Sequence, residues 1–523
     1  MLLSPAPLSV VIGCSIQTVT ASASSYQYAS VIDNYKGQYG EIIQRDVCVV
    51  GGGASGVHAA VSLKDLNKTV VVVERKDRLG GHTSTYLDPA TGTPIDIGAV
   101  VFQPLPAVLR FFAKFNVPLA NSSTFIPNAP GQPANLSVPA PWFRTIQEFR
   151  DMRDGSPVTI TQDIPALQKA IAGLATVMTK YAYILDGFQA LPDPVPEDLV
   201  MPFGDFMTKY NLTAAIPIFF QVAQGLGSLL HIPTLYVIKY YNLGDVVAFT
   251  KGFEYLTQAQ GNTSLLYTKA AEYLGASNIL FESTVISANR RHRHRPPTPN
   301  QQPQQPQLLV STPNGIKLLS CHQILLTIPP TLSNLAGWDL TPEELSIFSQ
   351  FTTSNGYWTG LLKNLGPSMN QSIFYRNAAL TTPFRLPILP ALYEVGPVGL
   401  LNDTWWIKLG ADTDALPDEQ IKARPIRTVQ RLQAAINVPV TEPEWLVFES
   451  HSPFMMRATA EAIRGGFYKK LTGLQGGLGG RMFYSGAAFH MHYSGYLWRY
   501  NEDVVIPKMV GRNVEGKEKG GYY

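Results

Sequence analysis

Three glycines near residue 50 have the spacing of a nucleotide-binding loop. Gly51, Gly53 and Gly56 follow an apolar run and open a helix-like segment; a second apolar run ends in Glu74, 21 positions beyond Gly53. Gly51 suits a tight turn, Gly53 lets the backbone approach a pyrophosphate, and Gly56 lets the helix pack closely. The helix N-terminus offers free N–H groups to phosphate, and Glu74 can accept ribose hydroxyls. The pattern predicts a dinucleotide site in a βαβ unit.

Sites for NAD and for FAD share this first motif, and the residues after Glu74 distinguish them. The segment ERKDRLGGHTST (residues 74–85) resembles the second glycine pair of glutathione-reductase-like flavoproteins, and a later Asp-x-Gly-Ala is matched at Asp96 and Gly98. On these motifs the chain resembles the flavin-containing amine oxidase superfamily. His82 stands where that superfamily usually has arginine. In this respect the chain resembles the fungal subgroup typified by β-cyclopiazonate dehydrogenase more than the amine oxidases proper.

The resemblance implies that the cofactor is FAD. It also implies which residues in the first part of the chain hold it: Gly51, Gly53, Ala54, Ser55, Gly56, Glu74, Arg75, Gly80, Gly81, His82, Gly98 and Val285, the last of these in a strand whose valine meets the adenine. Two roles stay open for His82. It is either a neutral hydrogen-bond donor at the pyrophosphate or the attachment point of a covalent 8α bond to the flavin.

A second match lies near the C-terminus, where residues 486–497 read GAAFHMHYSGYL. In monoamine oxidases the corresponding segment contains H-W-S-G-Y, in register with H-Y-S-G-Y here. The resemblance implies that Gly486 approaches the ribityl-phosphate portion of FAD. It also implies that the N–H groups of Gly495, Tyr496 and Leu497 open a helix facing the N1–C2=O edge of the flavin. A helix N-terminus stabilises the negative charge that reduction places there.

The resemblance also names two catalytic candidates. Tyr468 and Tyr496 match the two tyrosines that form an aromatic cage around the substrate in monoamine oxidases, so we expect them to flank a flat substrate group. Phe467 occupies the position of the cysteine that binds flavin covalently in some members, which excludes that thioether. Many amine oxidases have a lysine at the position that matches Gly360, but the segment NGYWTGLLKN (355–364) has none before Lys363. This argues against simple primary-amine oxidation. His451, His490 and His492 are weaker candidates for proton transfer.

The elements around these motifs predict an α/β fold. We expect a doubly wound, glutathione-reductase-like FAD-binding domain with an inserted mixed α/β substrate domain. Residues 216–241 are dense in apolar residues and are interpreted as core helix of the substrate domain. The strands from residue 278 to 328 suggest a meander. The predicted segments are a linker (24–45), the FAD-binding domain (46–110, 250–335 and 460–510), the substrate domain (111–249 and 336–459) and a tail (511–523).

Composition limits the partners and suggests a compartment. The formal charge of +3, from 41 basic and 38 acidic residues, offers no basic surface for nucleic acid. No stretch is long and apolar enough for a membrane helix. An uncharged leader (1–23) ends in Ala-Ser-Ala, the kind of site that signal peptidase cuts, and predicts secretion or residence in the lumen of the secretory pathway. The alternative is a disordered or organelle-targeting N-terminus. Seven glycosylation sequons agree with this prediction: Asn67, Asn121, Asn135, Asn211, Asn262, Asn370 and Asn402.

Two groups of metal-type residues are interpreted as structural. His292 and His294 lie in a Pro/Gln-rich segment with no cysteine or carboxylate partner nearby, so we predict a solvated loop and no metal site. Cys48 and Cys321 lie in apolar strand-like runs, and we expect buried, inert thiols rather than a bridge.

Three functions follow as hypotheses. The leading one is an FAD-dependent oxidoreductase that dehydrogenates or oxidatively cyclises a C–N or C–C unit of an aromatic or polycyclic metabolite, with O₂ as one candidate electron acceptor. The fungal resemblance implies secondary metabolism. The second is a flavin-dependent isomerase of an unsaturated lipid, whose product would keep the mass of the substrate. The third is a secreted flavin-binding protein without turnover.

Overall fold

The computed structural model describes residues 42–122, 146–161, 163–250, 255–291 and 305–511, together with six positions between 32 and 40. The leader, the sequon at Asn135, His292, His294 and residues 512–523 of the tail lie outside the described residues. Among the described residues, the strands are β1 (Ile43–Val50), β2 (Val70–Val73), β3 (Thr85–Leu87), β4 (Pro94–Asp96), β5 (Leu119–Asn121), β6 (Ile146–Arg150), β7 (Leu256–Gln258), β8 (Ile279–Leu280), β9 (Thr284–Asn289), β10 (Gln307–Thr312), β11 (Gly315–Leu326), β12 (Thr353–Ser354), β13 (Gly356–Lys363), β14 (Ile373–Asn377), β15 (Ala391–Pro397), β16 (Thr404–Ala411), β17 (Glu444–Ser450), β18 (Met456–Arg457) and β19 (Met482–Tyr484).

The helices of the same part of the chain are mostly short. They are α1 (Ala54–Asp65), α2 (Pro106–Lys114), α3 (Ile164–Thr179), α4 (Glu197–Val200), α5 (Phe203–Lys209), α6 (Ile216–Val222), α7 (Thr234–Tyr240), α8 (Leu243–Thr250), α9 (Ser264–Leu274), α10 (Pro342–Phe348), α11 (Asp418–Ala435), α12 (Ala460–Arg464), α13 (Phe467–Gly473), α14 (Gly477–Gly480), α15 (Ser494–Tyr500) and α16 (Ile506–Met509). A π-helical turn at Asn501–Val505 makes α15 and α16 one continuous helical run.

The first sheet carries the glycine loop. Its order is β8-β2-β1-β11-β10-β9, and β19 also pairs with β11. Strand β1 is parallel to both β2 and β11, whereas β10 is antiparallel to its two neighbours, so the predicted meander of β9, β10 and β11 is confirmed. Residues 47–50 and 70–73 are buried on both faces, as expected for parallel strands covered on two sides. The predicted α/β class with a Rossmann-like domain is confirmed.

The second sheet forms the wall opposite the glycine loop. Its order is β17-β13-β16-β15-β14-β6, and all pairs are antiparallel except β14 with β6. Its strands lie within the segments predicted for the substrate domain. Those of the first sheet lie within the segments predicted for the FAD-binding domain, except that β1 begins at Ile43, in the predicted linker. The domain boundaries themselves stay predictions.

An ion-pair cluster joins the second glycine loop to the second sheet. Lys76 Nζ and Arg78 Nη2 contact the two oxygens of Glu449 on β17 at 2.7 and 2.8 Å, and Ser84 Oγ donates to the same carboxylate at 3.0 Å. Burial acts to raise the pKa of Glu449, but the hydrogen bond from Lys76 and the charge of Arg78 outweigh it and lower the pKa. The cluster therefore holds an ionised carboxylate between the two sheets.

The expectation of free thiols is wrong. Cys48 on β1 and Cys321 on β11 are fully buried and form a disulfide, with their Cα atoms 5.8 Å apart. They are separated by 273 residues, so only the association of β1 with β11 brings them together. An apolar setting by itself does not distinguish a buried thiol from a buried bridge.

The apolar segment 216–241 is divided rather than continuous. It forms α6 and α7, separated by a glycine-containing turn and a short 3₁₀ turn at Leu229–His231. Both helices contribute buried side chains to the largest hydrophobic core, which agrees with the interpretation as core. None of the helices in the described part of the chain has the length and apolar character needed to cross a bilayer.

Candidate functional site

In the first glycine loop, Gly51 and Gly56 are needed for the backbone to adopt its fold. A Cβ at Gly56 would lie 2.0 Å from the carbonyl oxygen of Gly51, and Gly51 has a φ of +109°. Gly53 differs, because a Cβ there would meet no protein atom nearer than Gly81 Cα at 3.9 Å. The small size of Gly53 therefore leaves room on the cavity side of the loop, at the N-terminus of α1. This is the position in which a pyrophosphate needs close contact with backbone N–H groups.

Glu74 is fixed at the end of β2 by backbone donors. The N–H of Gly52 donates to Glu74 Oε2 at 2.7 Å, and the N–H of Lys76 donates to Oε1 at 2.8 Å. Each carboxylate oxygen keeps a second lone pair, and the residue lines the cavity together with Arg75 and Val285. A preoriented carboxylate beside a strand valine fits the ribose and adenine end of a dinucleotide.

The second glycine loop packs directly on the first. The N–H of Gly80 donates to the carbonyl of Gly52 at 2.8 Å, and both Gly80 and Gly81 have positive φ values, of +112° and +59°. Gly98 completes the contact, since a Cβ there would lie 1.9 Å from the carbonyl oxygen of His82. The small residues of the three motifs thus allow three backbone segments to meet beside one cavity.

The C-terminal stretch is held against the same loop. The hydroxyls of Ser55 and Ser485 lie 2.6 Å apart, Asn501 Nδ2 donates to the carbonyl of Ser55 at 2.9 Å, and Trp498 Nε1 donates to that of Ala54 at 3.0 Å. Gly486 has a φ of +102°, and a Cβ there would lie 2.9 Å from the carbonyl oxygen of Thr327. The stretch from residue 482 to 498 is therefore held beside the first glycine loop, and part of it lines the cavity.

The structure gathers most of the predicted residues around one cavity of about 1410 Å³. Their contacts with FAD stay a prediction. Those that line the cavity are Gly51, Gly53, Ala54, Ser55, Gly56, Glu74, Arg75, Gly80, Gly81, His82, Gly98, Val285, Gly486 and Leu497. Gly495 and Tyr496 do not line it. Gly495 packs instead against Val108 on α2 and against Leu105, the residue just before that helix. The first turn of α15 reaches the cavity through Ser494 and Leu497 instead.

The structure does not bring Tyr468 and Tyr496 together as a cage. Tyr468 is stacked on Phe188 at 3.8 Å between ring centroids, and its hydroxyl donates to that of Tyr236 at 2.8 Å. Tyr496 donates to Gln103 Oε1 at 2.8 Å. Both rings are buried in different core clusters, and neither lines the cavity. The two tyrosines carried over from the monoamine oxidases thus do not face each other across this cavity, and their catalytic role stays a prediction.

A different set of rings forms an aromatic wall in the cavity, which we define as Tyr240, Tyr357, Phe454 and His492. Phe454 lies at the centre, with ring centroids 5.8 Å from Tyr240, 5.0 Å from Tyr357 and 4.9 Å from His492. Phe454 also stacks on His82 at 5.8 Å. The wall thus runs from the second glycine loop towards the second sheet. Sequence analysis missed three of its members, which come from α7, β13 and the loop after β17.

Comparison with known proteins agrees with this architecture. Residues 49–115 match the NAD(P)-binding Rossmann-like domain. The FAD-dependent oxidoreductase oblC of Cochliobolus heterostrophus is 36% identical over 480 residues, covering 90% of this chain and 92% of that protein. The chain belongs to the family of fungal FAD-dependent oxidoreductases. β-Cyclopiazonate dehydrogenase of Aspergillus oryzae is 31% identical over 472 residues, covering 89% of this chain and 93% of its own length. FAD is therefore the cofactor of this oxidoreductase, and the predicted similarity to the fungal subgroup of β-cyclopiazonate dehydrogenase is confirmed.

Solved structures support the same fold. A fatty acid isomerase from P. acnes that produces CLA superposes with a TM-score of 0.65 at 18% identity, covering 88% of this chain and 98% of that one. Cyclohexylamine oxidase from Brevibacterium oxydans superposes with a TM-score of 0.57 at 13% identity, covering 89% and 99%. At these identities the likeness concerns the fold alone.

In this oxidoreductase, a histidine pair connects the second glycine loop with the second sheet. The ring of His82 lies 4.9 Å from that of His451, whose Nε2 is 2.9 Å from Thr359 Oγ1. Because the Thr359 hydroxyl donates its proton to the carbonyl of Ile97 at 2.6 Å, His451 Nε2 must be the donor to Thr359. His82 is open to the cavity but surrounded by protein, and burial together with Lys76 lowers its pKa to about 4. Both rings are therefore neutral near neutral pH, since burial lowers the pKa of His451 well below its usual value.

The other two histidines are placed differently. His492 belongs to the aromatic wall, and its Nε2 contacts the carbonyl oxygen of Phe454. His490 is buried outside the cavity, and neither of its ring nitrogens has a hydrogen-bond partner among the described residues. Burial lowers the pKa of both rings well below the usual value.

Asp245 is a buried carboxyl group in the cavity that sequence analysis missed. Asp245 lines the cavity, accepts from Gln103 Nε2 at 2.6 Å and from the Asn242 N–H at 2.8 Å, and lies 3.3 Å from the Tyr255 hydroxyl. Burial raises its pKa to about 7, although these hydrogen bonds act to lower it. Tyr496 supports the group indirectly, through its hydrogen bond to Gln103. Asp245 can therefore accept or release a proton near neutral pH.

Proposed function

We propose that this oxidoreductase dehydrogenates or oxidatively cyclises a C–N or C–C unit of an aromatic, polycyclic small molecule in secondary metabolism. One observation carries the proposal: a single cavity extends from the glycine loops that would hold FAD to the aromatic wall. Bound FAD supplies the hydride acceptor. The wall offers flat, apolar surfaces that orient an aromatic substrate and exclude water from it.

Removal of a hydride from a substrate also releases a proton, and the chain must accept it. Asp245 is a suitable acceptor, because it lines the cavity and its raised pKa of about 7 allows both protonation states near neutral pH. Gln103 and Asn242 hold its two oxygens, so the orientation of the carboxyl group is defined before the substrate binds.

Relatives support dehydrogenation rather than isomerisation of a lipid. A protein named β-cyclopiazonate dehydrogenase covers nearly the whole chain at 31% identity, whereas the fatty acid isomerase shares only the fold. The mass of the product distinguishes the two reactions, since dehydrogenation removes two hydrogen atoms and isomerisation leaves the mass unchanged.

The test is anaerobic mixing of the FAD-containing protein with a panel of polycyclic aromatic metabolites. We expect a member of the panel to bleach the flavin absorbance and to yield a product lighter by two hydrogen atoms, and we expect Phe454→Ala to slow the bleaching. A product of unchanged mass would establish the isomerase. Recovery of the flavin colour when O₂ is admitted, with consumption of O₂, tests the proposal that O₂ is the electron acceptor.

We also propose that the protein is secreted. The leader and the sequons motivate this proposal, and a buried disulfide is typical of an oxidising compartment. The sequon residues Asn121, Asn211, Asn370 and Asn402 are exposed and accessible for glycosylation. N-terminal sequencing of protein from the culture medium should begin near Ser24, and glycosidase treatment should lower its mass. An intact leader on a cytosolic protein would overturn this proposal.

A further inference from the structure

A row of charged side chains crosses the second sheet on the face that lines the cavity. Arg376 on β14 lies directly opposite Glu394 on β15, and Glu394 lies directly opposite Lys408 on β16. All three line the cavity, as does Thr359, which lies opposite Lys408 on β13. Residues directly opposite each other project from the same face of a sheet, so the register alone places one carboxylate between two cations.

The carboxylate of this row is already neutralised by the protein. Glu394 is only 2% exposed; it contacts Arg376 Nη1, lies 2.8 Å from Lys408 Nζ and accepts from Gln224 Nε2 at 3.1 Å. Burial acts to raise the pKa of Glu394, but the charges of Arg376 and Lys408 outweigh it and lower the pKa. Two cations and one carboxylate leave one net positive charge on the cavity wall.

The cations keep donors that the protein does not use. Arg376 Nε donates to Gln147 Oε1 at 2.8 Å, but its Nη2 has no acceptor among the described residues. Lys408 has Glu394 as its one ion-pair partner in the same part of the chain, which leaves two ammonium protons available. The side chains are 17% and 31% exposed, and Glu394 lies beneath them. The free donors are therefore on the surface that a bound molecule would reach.

We propose that Arg376 and Lys408 bind an acidic group of the substrate, a carboxylate or an ionised enol. The proposal rests on the proposed function, because it concerns the substrate of the same cavity. Phe374 and Trp406, one row along the same face, also line the cavity. The Arg376 guanidinium lies over the Phe374 ring, 4.4 Å from its centroid, so the parts of the two rings that face the cavity would contact the apolar part of that molecule. The net positive wall disfavours a cationic amine.

The position of the row also sets the size of the substrate. Thr359 lies beside the histidine pair, and adjacent strands are about 5 Å apart. Lys408 is one strand away from Thr359 and Arg376 is three strands away, which places them roughly 5 Å and roughly 15 Å from Thr359 along the row. An acidic group held between the two cations thus lies roughly 10 Å from the histidine pair. A substrate of more than one ring is needed to cover that distance.

Three naphthalene probes that differ in charge test the inference. Isothermal titration of the FAD-containing protein with 2-naphthoate, 2-naphthamide and 2-naphthylmethylamine measures the effect of charge on one aromatic body. We expect the carboxylate to bind about tenfold more tightly than the amide, as a charge-assisted hydrogen bond predicts, and the amine to bind more weakly than both. Equal affinities for carboxylate and amide, or tightest binding of the amine, would overturn the inference.

Variants separate an anion site from a purely structural ion-pair network. Lys408→Gln and Arg376→Gln should each remove most of the tenfold preference for 2-naphthoate while the affinity for 2-naphthamide stays unchanged. Glu394→Gln should tighten binding of 2-naphthoate, because it releases both cations. Lys363→Gln is the matched control, since Lys363 is on β13 but pairs with Glu444 outside the cavity.

A structural role gives a different pattern. If Lys408→Gln weakens the binding of the carboxylate and the amide equally, or if Glu394→Gln weakens 2-naphthoate binding, the row only holds the sheet together. These titrations need no turnover. Failure of every aromatic metabolite to bleach the flavin would therefore refute the proposed reaction without affecting the result for the anion site.

Discussion

The hydroxyl groups of Ser55 and Ser485 lie 2.6 Å apart, although 430 residues separate them. Ser55 is in the first turn of α1, directly after the glycine loop, and Ser485 follows β19. Asn501 completes the contact by accepting from Ser485 Oγ at 2.6 Å and donating to the carbonyl of Ser55 at 2.9 Å. Buried polar groups beside the cavity thus join the first glycine loop to the segment near the C-terminus.

Asn501→Ala should destabilise the protein and weaken its hold on FAD. The substitution removes one hydrogen bond from the buried carbonyl of Ser55 and one from the hydroxyl of Ser485, at a cost of about 1–3 kcal/mol. Thermal unfolding and the ratio of flavin to protein absorbance measure the two effects. The exposed Asn314→Ala is the control and should change neither. An Asn501→Ala protein with wild-type stability would show that the contact does not hold the two segments together.

Gly53→Ala should impair FAD retention without impairing folding, whereas Gly56→Ala should impair folding itself. A Cβ at Gly56 clashes with Gly51 at 2.0 Å, so Gly56→Ala should destabilise the protein even without FAD. A Cβ at Gly53 meets protein only at 3.9 Å, so Gly53→Ala should leave the stability of the FAD-free protein nearly unchanged but lower its flavin content. Unfolding of FAD-free protein and flavin absorbance measure the difference. Full flavin content in Gly53→Ala would contradict the assignment of the loop.

Asp245 should make stability depend on pH. Folding raises its pKa from the ordinary 3.8 to about 7, so the contribution of its proton to stability is complete below about pH 4 and is lost as the pH rises through about 7. Asp245→Asn cannot ionise. Its unfolding temperature should therefore rise relative to wild type between about pH 5 and pH 8, by an amount equivalent to a few kcal/mol at most.

The control for this pH series is Asp77→Asn, which removes an exposed carboxylate outside the cavity. A constant difference between wild type and Asp245→Asn over the whole series would show that Asp245 is ionised throughout, and it would remove the group from consideration as a proton acceptor near neutral pH.

Phe454 and Tyr468 should differ in their effect on ligand binding. Phe454→Leu should weaken 2-naphthamide about threefold to tenfold, because it removes a ring from the aromatic wall. Tyr468→Phe should not change this affinity, since Tyr468 lies outside the cavity, but the lost hydrogen bond to Tyr236 should lower stability by about 1 kcal/mol. Titration and thermal unfolding measure both. If Tyr468→Phe weakened the probe as much as Phe454→Leu, the originally predicted cage would regain support.

The sequence alone determined the nucleotide end of the site. Gly51, Gly53, Gly56 and Glu74 lie within about thirty residues of each other, and a βαβ unit of that length has little freedom in how it folds. Residue types and spacing therefore sufficed to predict the glycine loop, and resemblance extended the prediction to residues 80–98 and to Gly486.

Only the tertiary structure decided the substrate end. Tyr240, Tyr357 and Phe454 come from a helix, a strand and a loop, and no local pattern shows that their rings meet. The row of Arg376, Glu394 and Lys408 depends on register, because a shift of one residue would turn each side chain to the other face of the sheet. The Cys48–Cys321 disulfide and the packing of Tyr468 against Phe188 likewise depend on contacts between segments that are distant in the sequence. The spacing of residues within one local unit can be read directly from the sequence. Contacts between distant segments depend on how the strands pair and how the helices pack on them.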